Sequence, residues 1–238
     1  AERILALCEE SCRALIDLKN AERGIINIGA SQTIGTYLLP QVLVLFTQKY
    51  PQIALQIHVN STRIIAKNVL NREVDLAIVG GEVPIKLQDY LLLEEFVEDE
   101  FNLIVSNFHP FACKQQITKE DLYHLNFITL NSQSTIRKFI DNILSKNHIE
   151  TNELKILMQL NSLEGIKTAV SLGLGAAFVS SSAIEKELKL ETIRILKIEN
   201  IRITRKLSII SNSEIYKSKA FQFFYKELLE LKKKNNKL

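Results

Sequence analysis

Cysteine, proline and glycine are all scarce in this 238-residue chain, at three, four and eight residues. Cys8, Cys12 and Cys113 cannot all pair within one chain. Cys8 and Cys12 stand one helical turn apart with no histidine nearby, so neither a disulfide framework nor a zinc site is expected. Free thiols in a reducing compartment are the simpler reading. So few prolines and glycines leave little room for long disordered linkers. No apolar run approaches the roughly 20 residues that span a bilayer, and no membrane partner is expected. The start, Ala1-Glu2-Arg3-Ile4, lacks the basic head, apolar middle and cleavage site of a secretory signal. A net charge of +3 is too small to imply nucleic-acid binding, and much of the excess sits in Lys232, Lys233, Lys234 and Lys237.

Signatures of catalysis are missing as well. His58, His109, His124 and His148 are scattered without metal-ligand spacing. There is no G-x-S-x-G and no serine or cysteine paired with a base at motif level. Gly173-x-Gly175 fails as a nucleotide fingerprint, because its third position falls at Phe178 and it follows a helix instead of a strand. Helix termination is its expected role. Ser180, Ser181 and Ser182 read as the cap of a following helix. The carboxylates of Glu94-Glu95 and Glu98-Asp99-Glu100 read as mostly outward charge along a strand. Neither an enzyme nor a resident cofactor is expected.

What remains is a chain with 46% hydrophobic and 24% charged residues, enough for a real core and for two lobes. Residues 2–22 predict a helix, with Leu5, Cys8, Cys12 and Leu15 forming a short coiled-coil seam and Gly24 ending it. Strands and helices then alternate: a strand over 25–30, a helix burying Leu38, Leu39, Val42, Leu45 and Phe46, a strand over 53–59, a helix over 63–70 and a strand over 75–79. Gly80-Gly81 breaks the pattern. Two runs without helical spacing, 90–97 and 101–106, lead to His109-Pro110. The alternation restarts with strands over 126–130, 154–160 and 176–180 and helices over 134–146 and 163–172. A strand over 203–210 and a closing helix over 216–233, with Phe221, Phe224, Leu228 and Leu231 at helical spacing, complete the chain. Strand–helix alternation of this length implies parallel pairing with right-handed crossovers. Its repetition implies two similar α/β lobes.

Several short motifs, in order, resemble one family. Leu39-Pro40 with Phe46 and Tyr50-Pro51, then Asp75-Leu76-Ala77-Ile78, His109-Pro110, Gly173-Leu174-Gly175-Ala176-Ala177 and the Phe221–Phe224 segment resemble the regulatory domain of LysR-type transcription regulators. The likeness runs over residues 24–228. It implies an α/β fold of two Rossmann-like subdomains joined by two crossover strands, as in type 2 periplasmic binding proteins. On that pattern residues 1–23 are a linker helix for dimerisation, residues 24–101 and 205–238 form subdomain I, residues 102–204 form subdomain II, and the N-terminal winged helix-turn-helix is absent. Asn161-Ser162, Gly165-Ile166-Lys167 and Phe178-Val179-Ser180 resemble the branch that regulates Rubisco and carbon-concentrating operons. Many other branches carry a proline where Val179-Ser180 stands.

In two-lobed α/β folds, ligands bind where strands end and helix N-termini begin, because unpaired N–H groups there attract anions. Three polar turns fit: Ser31-Gln32-Thr33, Asn60-Ser61-Thr62, and Asn131 to Thr135 with Ser132 and Ser134. Helix capping explains each turn alone; three in corresponding positions favour ligand contacts. Arg63 and Arg137 lie just inside two of the helices, where a guanidinium could fork onto a phosphate or be a solvated surface charge. Asn161 is a further candidate, as is the Gly80-Gly81 backbone.

The resemblance therefore implies an effector sensor that binds a small anionic metabolite between the lobes and acts as a homodimer or homotetramer. DNA would be contacted only through the missing N-terminal domain. A sugar phosphate, 2-phosphoglycolate, 2-oxoglutarate and NADPH are the effectors it suggests. A free-standing solute-binding protein of the same fold is the alternative, expected to be monomeric and exported. Abundant isoleucine, lysine and asparagine lean toward an AT-rich genome, hence the chloroplast stroma for a plastid gene or else the bacterial cytoplasm.

Overall fold

The structure, a computed structural model, describes residues 24–214 and 216–235. The helix expected over residues 2–22, with its Leu5, Cys8, Cys12 and Leu15 seam, lies outside them. The chain divides into two compact units, residues 1–98 with 206–238, and residues 99–205.

In the first unit β1 (Gly24–Ala30), β2 (Ile53–Val59) and β3 (Leu76–Val79) pair in parallel around a central β1, with Ala30 opposite both Val59 and Ile78. Parallel neighbours need crossover helices. A π-helical turn, Ile34–Leu38, running into α1 (Leu39–Lys49) supplies the first, and α2 (Thr62–Leu70) the second. Alternation along β1 turns Ile26, Ile28 and Ala30 onto one face, where Leu39, Val42 and Phe46 of α1 cover them. Leu45, expected on that face, is 50% exposed beside Val44. The stripe closes on the Phe46 side, because a C-terminal helix, α8 (Lys219–Asn235), packs there. Phe224 meets Phe46 edge-on at 5.2 Å, and Phe223 stacks on Tyr50 at 4.7 Å. The helix begins three residues later than the spacing predicts, at Lys219, because the Ser218 hydroxyl caps it by accepting from Phe221 N–H (3.1 Å).

The opposite face of the sheet takes Ile65, Ala66 and Val69 of α2. A side chain at Gly29 would meet Ala77 Cβ and Ile65 Cγ2 at 2.8 Å, so only glycine lets helix and sheet approach this closely. After α3 (Ile85–Gln88) comes β4 (Leu91–Ser106), a single strand of 16 residues where the sequence suggested two separate runs. The Tyr225 phenol on α8 hydrogen-bonds to Glu94 on β4, and that bond together with burial pushes the phenol up to about 12.

Glu98-Asp99-Glu100 looks like a break in apolar patterning, yet Asp99 turns inward. The chain passes into the second unit within β4, between Glu98 and Asp99, and returns within β10 (Ile203–Asn212), between Arg205 and Lys206. Directly inside that boundary, Arg205 Nε and Nη2 donate to Asp99 Oδ2 at 3.0 and 2.8 Å, and both side chains are 7% exposed. The guanidinium lies 4.8 Å over the Phe101 ring. Ser180 donates its hydroxyl to Asp99 Oδ1. Two expectations are thereby corrected: Asp99 is not outward charge, and Ser180 does not cap the following helix with its side chain.

The second unit contains β5 (Gln116–Ile117), α4 (Lys119–Leu122), β6 (Asn126–Thr129), α5 (Thr135–Lys146), β7 (Lys155–Gln159), α6 (Leu163–Ser171), β8 (Ala177–Ser180), α7 (Glu185–Lys189) and β9 (Ile193–Ile198). Both β8 and β9 run antiparallel to β4, β5 runs parallel to β9, and β6 and β7 form a separate parallel pair. The elements β5, α4, α7 and β9 were not foreseen, since two to six residues carry too little periodicity to register. Gly173 ends α6 in a left-handed conformation, φ +84°, with N–H donated to Val170 C=O (2.9 Å). At Gly175 a Cβ would fall 2.4 Å from the Asn126 carbonyl oxygen, where the turn crosses β6.

Removing one member of a buried ion pair strands the other's charge. Arg205→Met should therefore cost about 3–5 kcal/mol in urea unfolding. Asp99→Leu combined with Arg205→Met should recover most of that loss.

Candidate functional site

The register of the parallel strands brings the polar turns together within each unit. In the first, Ser31 N–H donates to Ile78 C=O and Asn60 N–H to Ala30 C=O, each at 3.1 Å, so the turns after β1, β2 and β3 lie side by side. Ser31 C=O accepts from Gly35 N–H (2.8 Å), and Gln32 and Thr33 are already helical. The predicted turn is thus one residue long, and Thr33 is buried as part of the helix start. Ser61 is the N-cap of α2, with Asn60 Oδ1 accepting from Ser61 N–H (2.8 Å). Thr62, the first helical residue, is buried, and the Gly81 backbone approaches it so closely that a Cβ would sit 2.9 Å from Thr62 Oγ1. Arg63, next along α2, is exposed.

The hydroxyls here are not used for capping. Ser61 makes no side-chain cap bond, and neither does Ser31, the residue before the first helical turn. Ser31 Oγ is buried without a partner among the described residues. Helix N-termini carry unpaired N–H groups and the positive end of the helix dipole. With no side chain satisfying them, they suit an external anion.

The second unit differs. Asn131 follows β6 and Asn161 follows β7, and Asn131 Nδ2 donates to Asn161 Oδ1 at 2.5 Å. Asn131 Oδ1 in turn accepts from Gln133 N–H (2.9 Å), which fixes the turn. Both helix starts carry side-chain caps: Ser134 Oγ accepts from Arg137 N–H at 3.5 Å, and Ser162 Oγ from Gly165 N–H at 3.2 Å. Ser132 and Thr135 are exposed beside them. Arg137 directs its Nε to Asp141 Oδ2 at 2.7 Å.

The chain matches the LysR substrate binding domain family over residues 19–233. It belongs to that family. A protein of Phaeodactylum tricornutum named "Probable RuBisCO transcriptional regulator" is 73% identical over 232 residues, covering 98% of this chain and 76% of that protein. A protein of the same name from Thalassiosira pseudonana is 66% identical over 234 residues, with the same coverage of both chains. The regulatory domain of CcmR from Synechocystis PCC6803, solved in complex with 2-PG, superposes with a TM-score of 0.76 at 26% identity, covering 89% of this chain and 98% of that one. The mixed α/β fold is therefore that of LysR effector domains, a family of transcription regulators and not of enzymes. Among the described residues no group of acidic, histidine or cysteine side chains could hold a metal, and no helix is long and apolar enough to cross a membrane.

Sequence reasoning missed the buried charges inside this LysR domain's second unit. Lys167, noticed only as part of a motif, is 3% exposed and inserts its Nζ between Ala183 C=O (2.8 Å) and the carboxylates of Glu164 and Glu187 (both 2.9 Å). It ties α6 to the segment after β8. The one signal available was a lysine on the apolar side of a helix, between Ile166 and Val170.

The capping contrast is measurable. Ser134→Ala and Ser162→Ala should each cost about 1 kcal/mol in urea unfolding, as lost N-caps do. Ser61→Ala should cost less than half as much, because its hydroxyl makes no cap bond.

Proposed function

We propose that this domain is the effector-sensing and oligomerisation part of a LysR-type regulator of Rubisco genes, binding a small anionic metabolite at the strand-end turns described above. Ser31, Gln32, Thr33, Asn60, Ser61 and Thr62 supply one set of contacts. Asn131, Ser132, Ser134, Thr135, Arg137 and Asn161 supply the other. The observation that carries this reading is the unused polar capacity in the first unit, where Ser31 Oγ is buried unpartnered and Ser61 leaves its helix start uncapped. Buried hydroxyls without partners are costly, and a ligand oxygen removes that cost. The names of the relatives and the 2-PG complex of CcmR support the same reading.

The effector is drawn from a sugar phosphate, 2-phosphoglycolate, 2-oxoglutarate and NADPH. It acts by binding one arrangement of the domain more tightly than another, and equal affinity for both would do nothing. The active form is a homodimer or homotetramer. Supporting this, the edge strand β2 exposes Ile57 and Val59, α1 exposes Val44 and Leu45, and β7, an edge of its two-stranded sheet, exposes Leu157 and Met158. Apolar side chains on open strand edges are suited to cover by a second copy. The composition rich in isoleucine, lysine and asparagine supports an AT-rich genome, and the algal relatives favour a plastid gene and the chloroplast stroma over the alternative, a bacterial cytoplasm.

A thermal-shift screen against the four candidates should find one that stabilises the domain, by about 2.7 kcal/mol at a hundredfold excess over Kd. In calorimetry Thr33→Ala and Thr135→Ala should each weaken that binding while leaving the unliganded melting temperature within a few degrees. Unchanged affinity in both variants, or no stabilisation by any of the four, overturns the placement. A monomeric mass in solution overturns the oligomer.

A further inference from the structure

Helix α5 and the β6–β7 pair do not close fully on each other. Between them, wholly inside the second unit, lies an apolar slot walled by Phe127, Ile128, Ile140, Leu144, Ile156 and Phe178. Its interior holds about 30 Å³, and about 430 Å³ counting the open mouth. One water-sized group needs roughly 10–15 Å³, so a chain of about two or three carbon atoms fits within. Dry apolar cavities of this kind favour hydrocarbon over water, which finds too few partners there.

The polar side chains of the lining are Thr129, Arg137 and Asp141, the last held by Arg137 Nε one turn along the helix. Thr129 closes β6 and Arg137 lies near the start of α5, with Leu144 further along that helix. Thr129 Oγ1 is buried and without a partner among the described residues. The Arg137 side chain is only 15% exposed, yet it gives just its Nε to Asp141, and its two Nη groups meet no acceptor among the described residues. Those Nη groups open to solvent at the mouth of the slot, where a guanidinium can take a planar, two-oxygen anion.

We infer that this slot is a second ligand site, for a short-chain monocarboxylate. The hydrocarbon tail lies along α5 toward Leu144, and the carboxylate accepts from the Arg137 Nη groups and the Thr129 hydroxyl. Binding is noncovalent; the site shares Arg137 with the metabolite contacts proposed above, and the apolar slot, probed by Leu144→Phe and by the alcohol, is what sets it apart.

Butanoate is the probe, titrated into the 238-residue chain while isoleucine methyl resonances are followed by NMR. Low-millimolar butanoate should move the methyls of Ile128, Ile140 and Ile156 and spare those of Ile26 and Ile28 in the first unit. Butan-1-ol, which has the tail without the charge, should bind about tenfold more weakly, as expected for loss of a charge-assisted hydrogen bond. Arg137→Gln should weaken butanoate by about tenfold while leaving butan-1-ol unchanged. Leu144→Phe should abolish both by filling the slot. Should that variant fail to fold, the alcohol comparison and Arg137→Gln still decide. No methyl shifts at tens of millimolar, equal binding of acid and alcohol, or undiminished butanoate binding by Arg137→Gln each overturns the assignment.

Discussion

Parallel pairing of β1 with both its neighbours is the constraint on which the first unit depends. Once Ala30 lies opposite Val59 and Ile78, three chain reversals must occur along the same edge of the sheet. Each reversal leads into a new segment whose first N–H groups have no partner in the strand just finished. Backbone bonds from Ser31 to Ile78 and from Asn60 to Ala30 lock these reversals side by side. The polar character of the edge is thus a consequence of sheet topology, and the identity of the side chains there decides what the edge can hold.

The two units treat their helix starts differently. In the second, Ser134 and Ser162 satisfy their own helices and an Asn131–Asn161 amide bridge stiffens the turns between them. In the first, the hydroxyls are left over. Satisfied caps stiffen their turns, whereas unsatisfied ones leave donor and acceptor capacity unspent. A sensor needs both: a surface whose energy changes on binding, and a frame that does not yield. Membership of the LysR substrate binding domain family is consistent with that division.

Rigidity in the second unit comes from buried charge as well as from apolar packing. Asp99, Arg205 and Ser180 join β4, β10 and β8 just where the chain enters and leaves the unit, and Lys167 pins α6 to the segment beyond β8. Such pairs add little net stability compared with apolar replacements of the same shape. Their value is directional, because a charge with fixed donors and acceptors tolerates one arrangement of the strands and penalises others. The underpacked slot beneath α5 stands in contrast, an apolar wall with the Arg137 guanidinium in its lining.

The amino-acid sequence by itself determined the alternation of strand and helix, because side-chain periodicity is a local property and each long element of the described residues carries its own. It also determined the polar turns, since serine, threonine and asparagine stand directly after apolar strands. Tertiary structure alone decided which hydroxyls are spent on capping and which are left free, for that depends on backbone angles set by distant packing. It alone turned Asp99 inward, where the sequence shows only an acidic run, because its partner Arg205 lies 106 residues away. It placed Leu45 outside, since the stripe that α1 buries is chosen by Phe224 of the last helix. Local pattern specifies what a segment can become, and contacts between segments far apart in the chain select which face, which charge and which hydroxyl are put to use.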